Sequence, residues 1–279
     1  MVKESAMNEM LSGVDKFGLG DLGELELFAE KGKEIEEESL IAAAQEKFEI
    51  NDVTYEKEFK CGVCRNMYKS RVMRLGKMMH VAIDYDLRPI YKEPIHPIFY
   101  DVHICPHCGH AALSQMLTKL NSVQIKLVQE NISPKFKPVE YPAQLDAAMA
   151  IERYKLALLN AVVKNSKDSE KAYLCMKTAW IYRSVKDKKN EIKFITNAYH
   201  GFTSALENEH FPVFGMDDDV VAFIAASYAK TLGLFEEALK MLGTVIVSKR
   251  SNSRLKDRAR DLKQDILQQS ESNQSSEVS

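Results

Sequence analysis

Apolar and polar positions alternate along Met79–Leu87, with Val81, Ile83, Tyr85 and Leu87 on one side and His80, Ala82, Asp84 and Asp86 on the other. The alternation returns over Ile98–Ile104, through Ile98, Tyr100, Val102 and Ile104. A period of two predicts half-buried strands. Pro89, Pro94 and Pro97 mark the connection between them. From Gly109 onward the period lengthens, and Leu113, Met116, Leu117 and Leu120 fall on one helical face. Ser133–Pro142 holds three prolines and interrupts the pattern. Further helices are expected at about 143–163, 169–186, 188–207, 217–233, 235–248 and 253–269. Asp217, Asp218 and Asp219 put carboxylates where free N–H groups open a helix.

The helical half carries a faint repeat. Ala150, Tyr154 and Ala157 share a spacing with Ala198, Phe202 and Ala205, and again with Ala238, Leu242 and Val245. Leu232-Gly233-Leu234-Phe235-Glu236-Glu237-Ala238 resembles the tetratricopeptide turn, although the copies lie farther apart than the usual ~34 residues. A degenerate array with insertions fits this spacing; a generic helical bundle is the alternative. Ahead of the strands, residues 1–50 divide into a glycine-punctuated apolar stretch, Val14–Phe28, and an acidic linker, with some helix expected near 39–48. The apolar stretch is expected to fold back on the helices. Residues 270–279 are rich in Ser, Gln and Glu and are expected to be a disordered tail. The fold class is thus α+β. A small zinc-knuckle β-hairpin module, ribbon-like or treble-clef-like, occupies 51–132, and a tetratricopeptide-like helical domain occupies 143–269.

Composition changes this picture little. Hydrophobic residues make up 45% and charged residues 28%, ordinary values for a folded chain. A net charge of −2 gives no global case for binding nucleic acid or an anionic membrane. Local charge is more informative. Residues 24–49 hold nine Glu against three Lys, 57–77 hold seven Lys or Arg against Glu58, and 249–263 hold seven Lys or Arg against Asp257 and Asp261. No stretch nears the ~18 apolar residues of a membrane span, and no basic-then-apolar leader opens the chain. A cytoplasmic location is expected, where thiols stay reduced.

That compartment bears on the cysteines. Cys61-Gly62-Val63-Cys64 and Cys105-Pro106-His107-Cys108-Gly109 are two CxxC turns. Each points two sulfurs at one spot, and together they supply four soft ligands suited to one tetrahedral zinc ion. The alternatives are a redox dithiol or unliganded core thiols. Four thiolates leave no open position for water, so a structural role is expected. His103, His107 and His110 lie near enough in sequence to replace a cysteine. Cys175 shares a helical face with Ala172 and Ala179 and reads as a small buried hydrophobe.

Two other groupings invite a functional reading. His80, Asp84, Asp86, Arg88, Asp101 and His103 fall on polar strand faces or strand ends, where they would form either an enzyme site or a solvated face of ion pairs. The basic run Lys57, Lys60, Arg65, Lys69, Arg71, Arg74 and Lys77, interleaved with Phe59 and Tyr68, would suit phosphates, or would offset the −2 charge of a zinc–thiolate centre. No GxxxxGK, GxGxxG, GxSxG or HExxH motif is present.

Cys61-Gly62-Val63-Cys64, Asp84-Tyr85-Asp86-Leu87-Arg88-Pro89, Tyr100–Gly109, Ile151-Glu152-Arg153-Tyr154-Lys155-Leu156-Ala157 and Ser251–Asp257 together carry a resemblance. They resemble the bacterial family catalogued as domain of unknown function 2225. The departure is His110, where an aromatic is expected. The resemblance implies a bacterial cytoplasmic protein with a zinc module and a helical tail, and no activity. The functional expectation is a non-enzymatic scaffold or adaptor that binds a protein or peptide through its helices. A nucleic-acid binder using 57–77 and 249–263 is the alternative, and an enzyme on the Asp84/Asp86/Arg88 face is the third reading.

Overall fold

The computed structural model describes residues 49–92 and 95–277. The Val14–Phe28 stretch and nearly all of the acidic linker lie outside them. The described residues fall in one compact unit.

After a single helical turn at Ile50–Val53, β1 (Thr54–Lys60) pairs antiparallel with β2 (Met67–Met73) in a register that sets Phe59 opposite Tyr68. The first CxxC turn is the connection between them. A second antiparallel pair joins β3 (His80–Ile83) to β4 (Pro89–Tyr91), and a third joins β5 (Val102–Ile104) to β6 (Ala111–Leu113). The second CxxC turn connects β5 to β6. Seven helices follow: α1 (Ser122–Asn131), α2 (Ala147–Val163), α3 (Asp168–Ser184), α4 (Lys188–Asn208), α5 (Asp218–Thr231), α6 (Phe235–Val247) and α7 (Ser253–Glu277). Local chemistry starts several of them. Asn121 and Gln124 form a reciprocal capping box on α1, and the Asp146 and Asp187 side chains accept N–H bonds at the starts of α2 and α4.

From α2 on, each helix packs on the next. All three expected triads lie in that packing. Ala150, Tyr154 and Ala157 on α2, Ala198, Phe202 and Ala205 on α4, and Ala238, Leu242 and Val245 on α6 are at most 1% exposed. Small residues set the spacing: a Cβ on Gly201 of α4 would stand 2.8 Å from that of Ala172 on α3. The main core is continuous with the strands, since Val53, Ile98, Val102 and Leu113 share it with the helical residues.

Four expectations need correction. The alternating run is strand only at His80–Ile83, and all four of its side chains are exposed rather than half-buried. Hydrogen bonding to a short partner strand, not burial, holds it there. Pro97–Tyr100 is a 3₁₀ turn, so the second strand begins at Val102. Ala111–Leu113 is strand and Ser114–Met116 a 3₁₀ turn, and helix begins only at Ser122. The chain reverses at the CxxC turn and pairs with β5 before any helix can start. At the other end α7 runs to Glu277, through the segment expected to be disordered; residues 270–277 contain no Gly or Pro to stop it.

Candidate metal centre

The two CxxC turns are built alike. Cys61 N–H donates to Asn66 O and Arg65 N–H to Cys61 O; likewise Cys105 N–H donates to His110 O and Gly109 N–H to Cys105 O. In both turns the fifth residue is left-handed, Arg65 at φ 66° and Gly109 at φ 72°. Only glycine takes that conformation without strain. Gly109 is fixed further by Phe136, whose ring would lie 2.5 Å from an added Cβ. Gly62 backs onto the chain after β6: a Cβ there would stand 2.3 Å from Leu117 O.

These turns bring Cys61, Cys64, Cys105 and Cys108 together, with their four sulfurs all within 4.8 Å of one another. Sγ of Cys61 lies 3.6 Å from that of Cys108, and Sγ of Cys64 lies 3.6 Å from that of Cys105. A disulfide needs about 2.05 Å. Sulfurs around a tetrahedral ion at about 2.3 Å would be roughly 3.8 Å apart. The residues therefore fit a metal ion, and they do not fit a cystine. The electrostatics agree. Cys61 is held far below the ordinary thiol range by hydrogen bonds from Cys105 and Cys108, while Cys108 is pushed up by donating to Cys105 and Cys61 and by burial. Four clustered thiols without a cation share little negative charge; a divalent cation would let all four ionise.

A small apolar shell surrounds the sulfurs. Val63 and Tyr68 of the first hairpin meet Val128 and Ile132 from α1 and the turn after it, with Phe59 and Phe136 packed outside. Val63 N–H points to Cys61 Sγ at 3.4 Å. Ser133 Oγ donates to Cys108 O, and Asn160 of α2 donates to Gly109 O at 3.1 Å, so the second turn is gripped from α2 and from the turn after α1. The nearby histidines do not join the cluster. His103 is clasped by Ser70 and Ser114 hydroxyls, His107 is exposed, and His110 is wholly buried, where its side chain helps to lower the Cys61 thiol without adding a ligand to the four. Cys175 is buried apart from them, and burial pushes its thiol up to about 12.

The polar grouping at the strand ends does not come together as a whole. His80 is exposed beside Tyr91, and Asp101 pairs with Lys177 of α3 at 2.5 Å. Asp84, Asp86 and Arg88 do meet, around a residue that local patterning could not supply. Arg183 of α3 donates to Asp84 at 2.8 Å, to Asp86 at 2.8 Å and to Glu191 at 2.7 Å, and its guanidinium lies over the Tyr85 ring. Trp180 Nε1 donates to Asp86, which has no exposure at all, and Arg88 pairs with Asp84 at 3.0 Å. Ser227 of α5 and Arg258 of α7 bind the backbone carbonyls of Tyr85 and Asp84. The Asp84–Leu87 turn is thus seated on α3, α5 and α7. Of the basic run, all but the half-buried Arg71 are exposed on the β1–β2 hairpin and the turn after it. The second basic stretch is partly engaged, with Arg250 on Asp218 and Arg260 on Asp257.

Among the described residues no helix is long and apolar enough to cross a membrane. No curated protein and no solved structure matches the chain. One family model does, across residues 54–266, which takes in both CxxC turns, the Asp84–Leu87 turn and the helices through most of α7. The chain belongs to that family, described as an uncharacterized protein conserved in bacteria (DUF2225).

Proposed function

We propose that the protein is a zinc-stapled scaffold rather than an enzyme, and that its helices form a degenerate tetratricopeptide-like array holding a protein or peptide partner. Zinc is the metal that four thiolates at tetrahedral spacing select most naturally in a reduced compartment, and a fully thiolate shell leaves no position for catalysis. The observation that carries the array is the burial of the three triads on alternate helices α2, α4 and α6. Stacked helix pairs of this kind present extended grooves to partners. One face of the stack already holds the Asp84–Leu87 turn. A second, apolar groove of about 360 Å³ runs between α2, α3 and α4, floored by Ala172, Cys175 and Gly201, walled by Leu158, Val162 and Phe194, and rimmed by Lys193 and the Lys171–Asp168 ion pair. An extended peptide with an apolar side chain and a nearby carboxylate suits it.

The test is paired affinity capture from the native host with the wild-type chain and with Val162→Asp, which is exposed and should fold normally. A partner retained by the first and lost by the second supports the reading. A partner set that does not change overturns it.

A nucleic-acid role is the second reading, favoured by the exposed cations on the β1–β2 hairpin. Binding of that kind weakens steeply with salt. No binding is expected at physiological salt, and submicromolar affinity reduced by Arg71→Ala with Arg74→Ala would reverse the order. An enzyme site on Asp84, Asp86 and Arg88 has less support, because two of these carboxylates are occupied by Arg183 and one is sealed from solvent.

A further inference from the structure

Arg153 is buried and Arg183 half-buried, and their surroundings are opposite. Arg183 has three carboxylates, which raise its pKa against the cost of burial. Arg153 on α2 is 8% exposed and has none. Its guanidinium donates to Val102 O and stands 5.2 Å from the Tyr141 ring, and its Nε–H has no hydrogen-bond partner. Burial lowers its pKa, and the groups that most oppose that are tyrosines. A buried charge without a counter-charge is costly and is normally paired.

Arg153 lines a cleft of about 270 Å³ between the β1–β2 hairpin, the second CxxC turn and the proline-rich connection to α2. Two more cations, Lys69 and Arg71, line the same cleft, against one carboxylate, Glu56, a balance of +2. Arg71 is aimed by neutral partners, Asn51 and Thr54, both at 2.9 Å. The Tyr100 hydroxyl lies within the influence of both Arg71 and Arg153 and is itself fully used, accepting from Leu145 N–H and donating to Ala143 O. The other wall is apolar, formed by Phe136, Pro138, Tyr141 and Pro142.

We infer that this cleft binds the phosphate group of a small phosphorylated molecule, with Arg153, Arg71 and Lys69 on the phosphate and the Tyr141 and proline wall against an apolar or aromatic remainder. The phosphate dianion, near −2 at neutral pH, matches the local balance. Arg71, whose two hydrogen bonds both use Nη1, keeps N–H groups for its oxygens, and Arg153 adds its charge beside them. The site is separate from the partner groove on α2, α3 and α4, so neither reading depends on the other.

The metal-loaded full chain is titrated with inorganic phosphate and with phenyl phosphate, reading heat and the Arg153 Nε–H resonance. Phenyl phosphate should bind more tightly than inorganic phosphate and shift that resonance. Lys69→Ala, exposed and outside the core, should weaken binding about tenfold, the value of one lost charge-assisted hydrogen bond. Arg153→Lys keeps the charge, loses the fork and should weaken binding at least as much, with unfolding midpoints checking that both variants fold. Tyr141→Ala should erase the preference for the phenyl compound. An unmoved Arg153 resonance, affinity indifferent to Lys69→Ala, or binding of oligonucleotides alone would overturn the assignment.

Discussion

At the scale of single residues, the two CxxC turns are a matched pair with one mismatch. Gly109 occupies its left-handed position freely, whereas Arg65 bears a Cβ at φ 66°. Such a residue costs roughly 1 kcal/mol relative to glycine. Arg65→Gly is therefore expected to raise the unfolding free energy of the metal-loaded protein, read by urea titration, by about 0.5–1 kcal/mol, and Gly109→Ala to lower it by several times that, because strain adds to the clash with Phe136. A destabilised Arg65→Gly protein would refute the equivalence of the turns. His96 supplies a pH signature away from the thiols. Burial and the Arg88 charge push its pKa down to about 4, so the folded state holds it neutral. A depressed group favours folding above its unfolded pKa, near 6.5, and that contribution is lost as pH falls towards 4. Stability should drop by about 1–3 kcal/mol across this window through His96 alone. Urea titrations of the wild type and His96→Gln from pH 7 to pH 4 check this: the variant's loss should be smaller by that amount, and equal losses would exclude His96.

At the scale of elements, the Asp84–Leu87 turn and α3 depend on each other. Removing one member of a buried charge cluster leaves its partners unpaired, typically at 3–5 kcal/mol. Arg183→Met is expected to cost that much by chemical denaturation and to release the turn, read as faster hydrogen exchange at Leu87. A loss below about 1 kcal/mol would mean the cluster is dispensable. The same cluster shows where local pattern stopped being informative. The alternation through Val81, Ile83 and Tyr85 placed the apolar side inward, yet those residues are exposed and Asp86 is buried. The reason sits 97 residues away in Arg183, whose charge makes a buried carboxylate affordable, and no local window contains it. The four cysteines were legible because a CxxC turn carries its own geometry. β6 was not legible, because the apolar period after Gly109 reads as helix, although a knuckle reverses the chain and runs Ala111–Leu113 back along Val102–Ile104 before a helix begins. The long helices were legible from period and breaks, and their starts lie within a few residues of the expected ones because Asp146, Asp187 and Asp217 stand at the N-caps.

At the scale of the whole molecule, two cores of unequal size share one chain, and this decides what metal removal should do. The larger core runs from Val53 and Val102 through the triads to Ile266 in α7. The smaller gathers Val63, Tyr68, Val128 and Ile132 around the sulfurs. Its few side chains bury too little apolar surface to order two hairpin turns and α1 by themselves, at roughly 1.5–3 kcal/mol per side chain against the entropy of each residue fixed. A structural zinc ion contributes on the order of 10 kcal/mol to such a shell. Elemental analysis should find one zinc per chain. Removing it with a chelator, or substituting Cys108→Ser, should speed hydrogen exchange across 57–68, 105–110 and 122–136. The segments of α3, α4 and α5 around Ile181, Phe202 and Ile224 should keep their protection, since none of their packing touches the sulfurs. The strands β5 and β6 lie between these behaviours: Val102 and Leu113 belong to the larger core, while Cys105 and Cys108 belong to the smaller. Exchange there reports whether the two cores unfold separately. A uniform loss of protection through α3–α5 on chelation would show that the metal holds up the entire fold, and unchanged exchange at 57–68 would show that it holds up nothing.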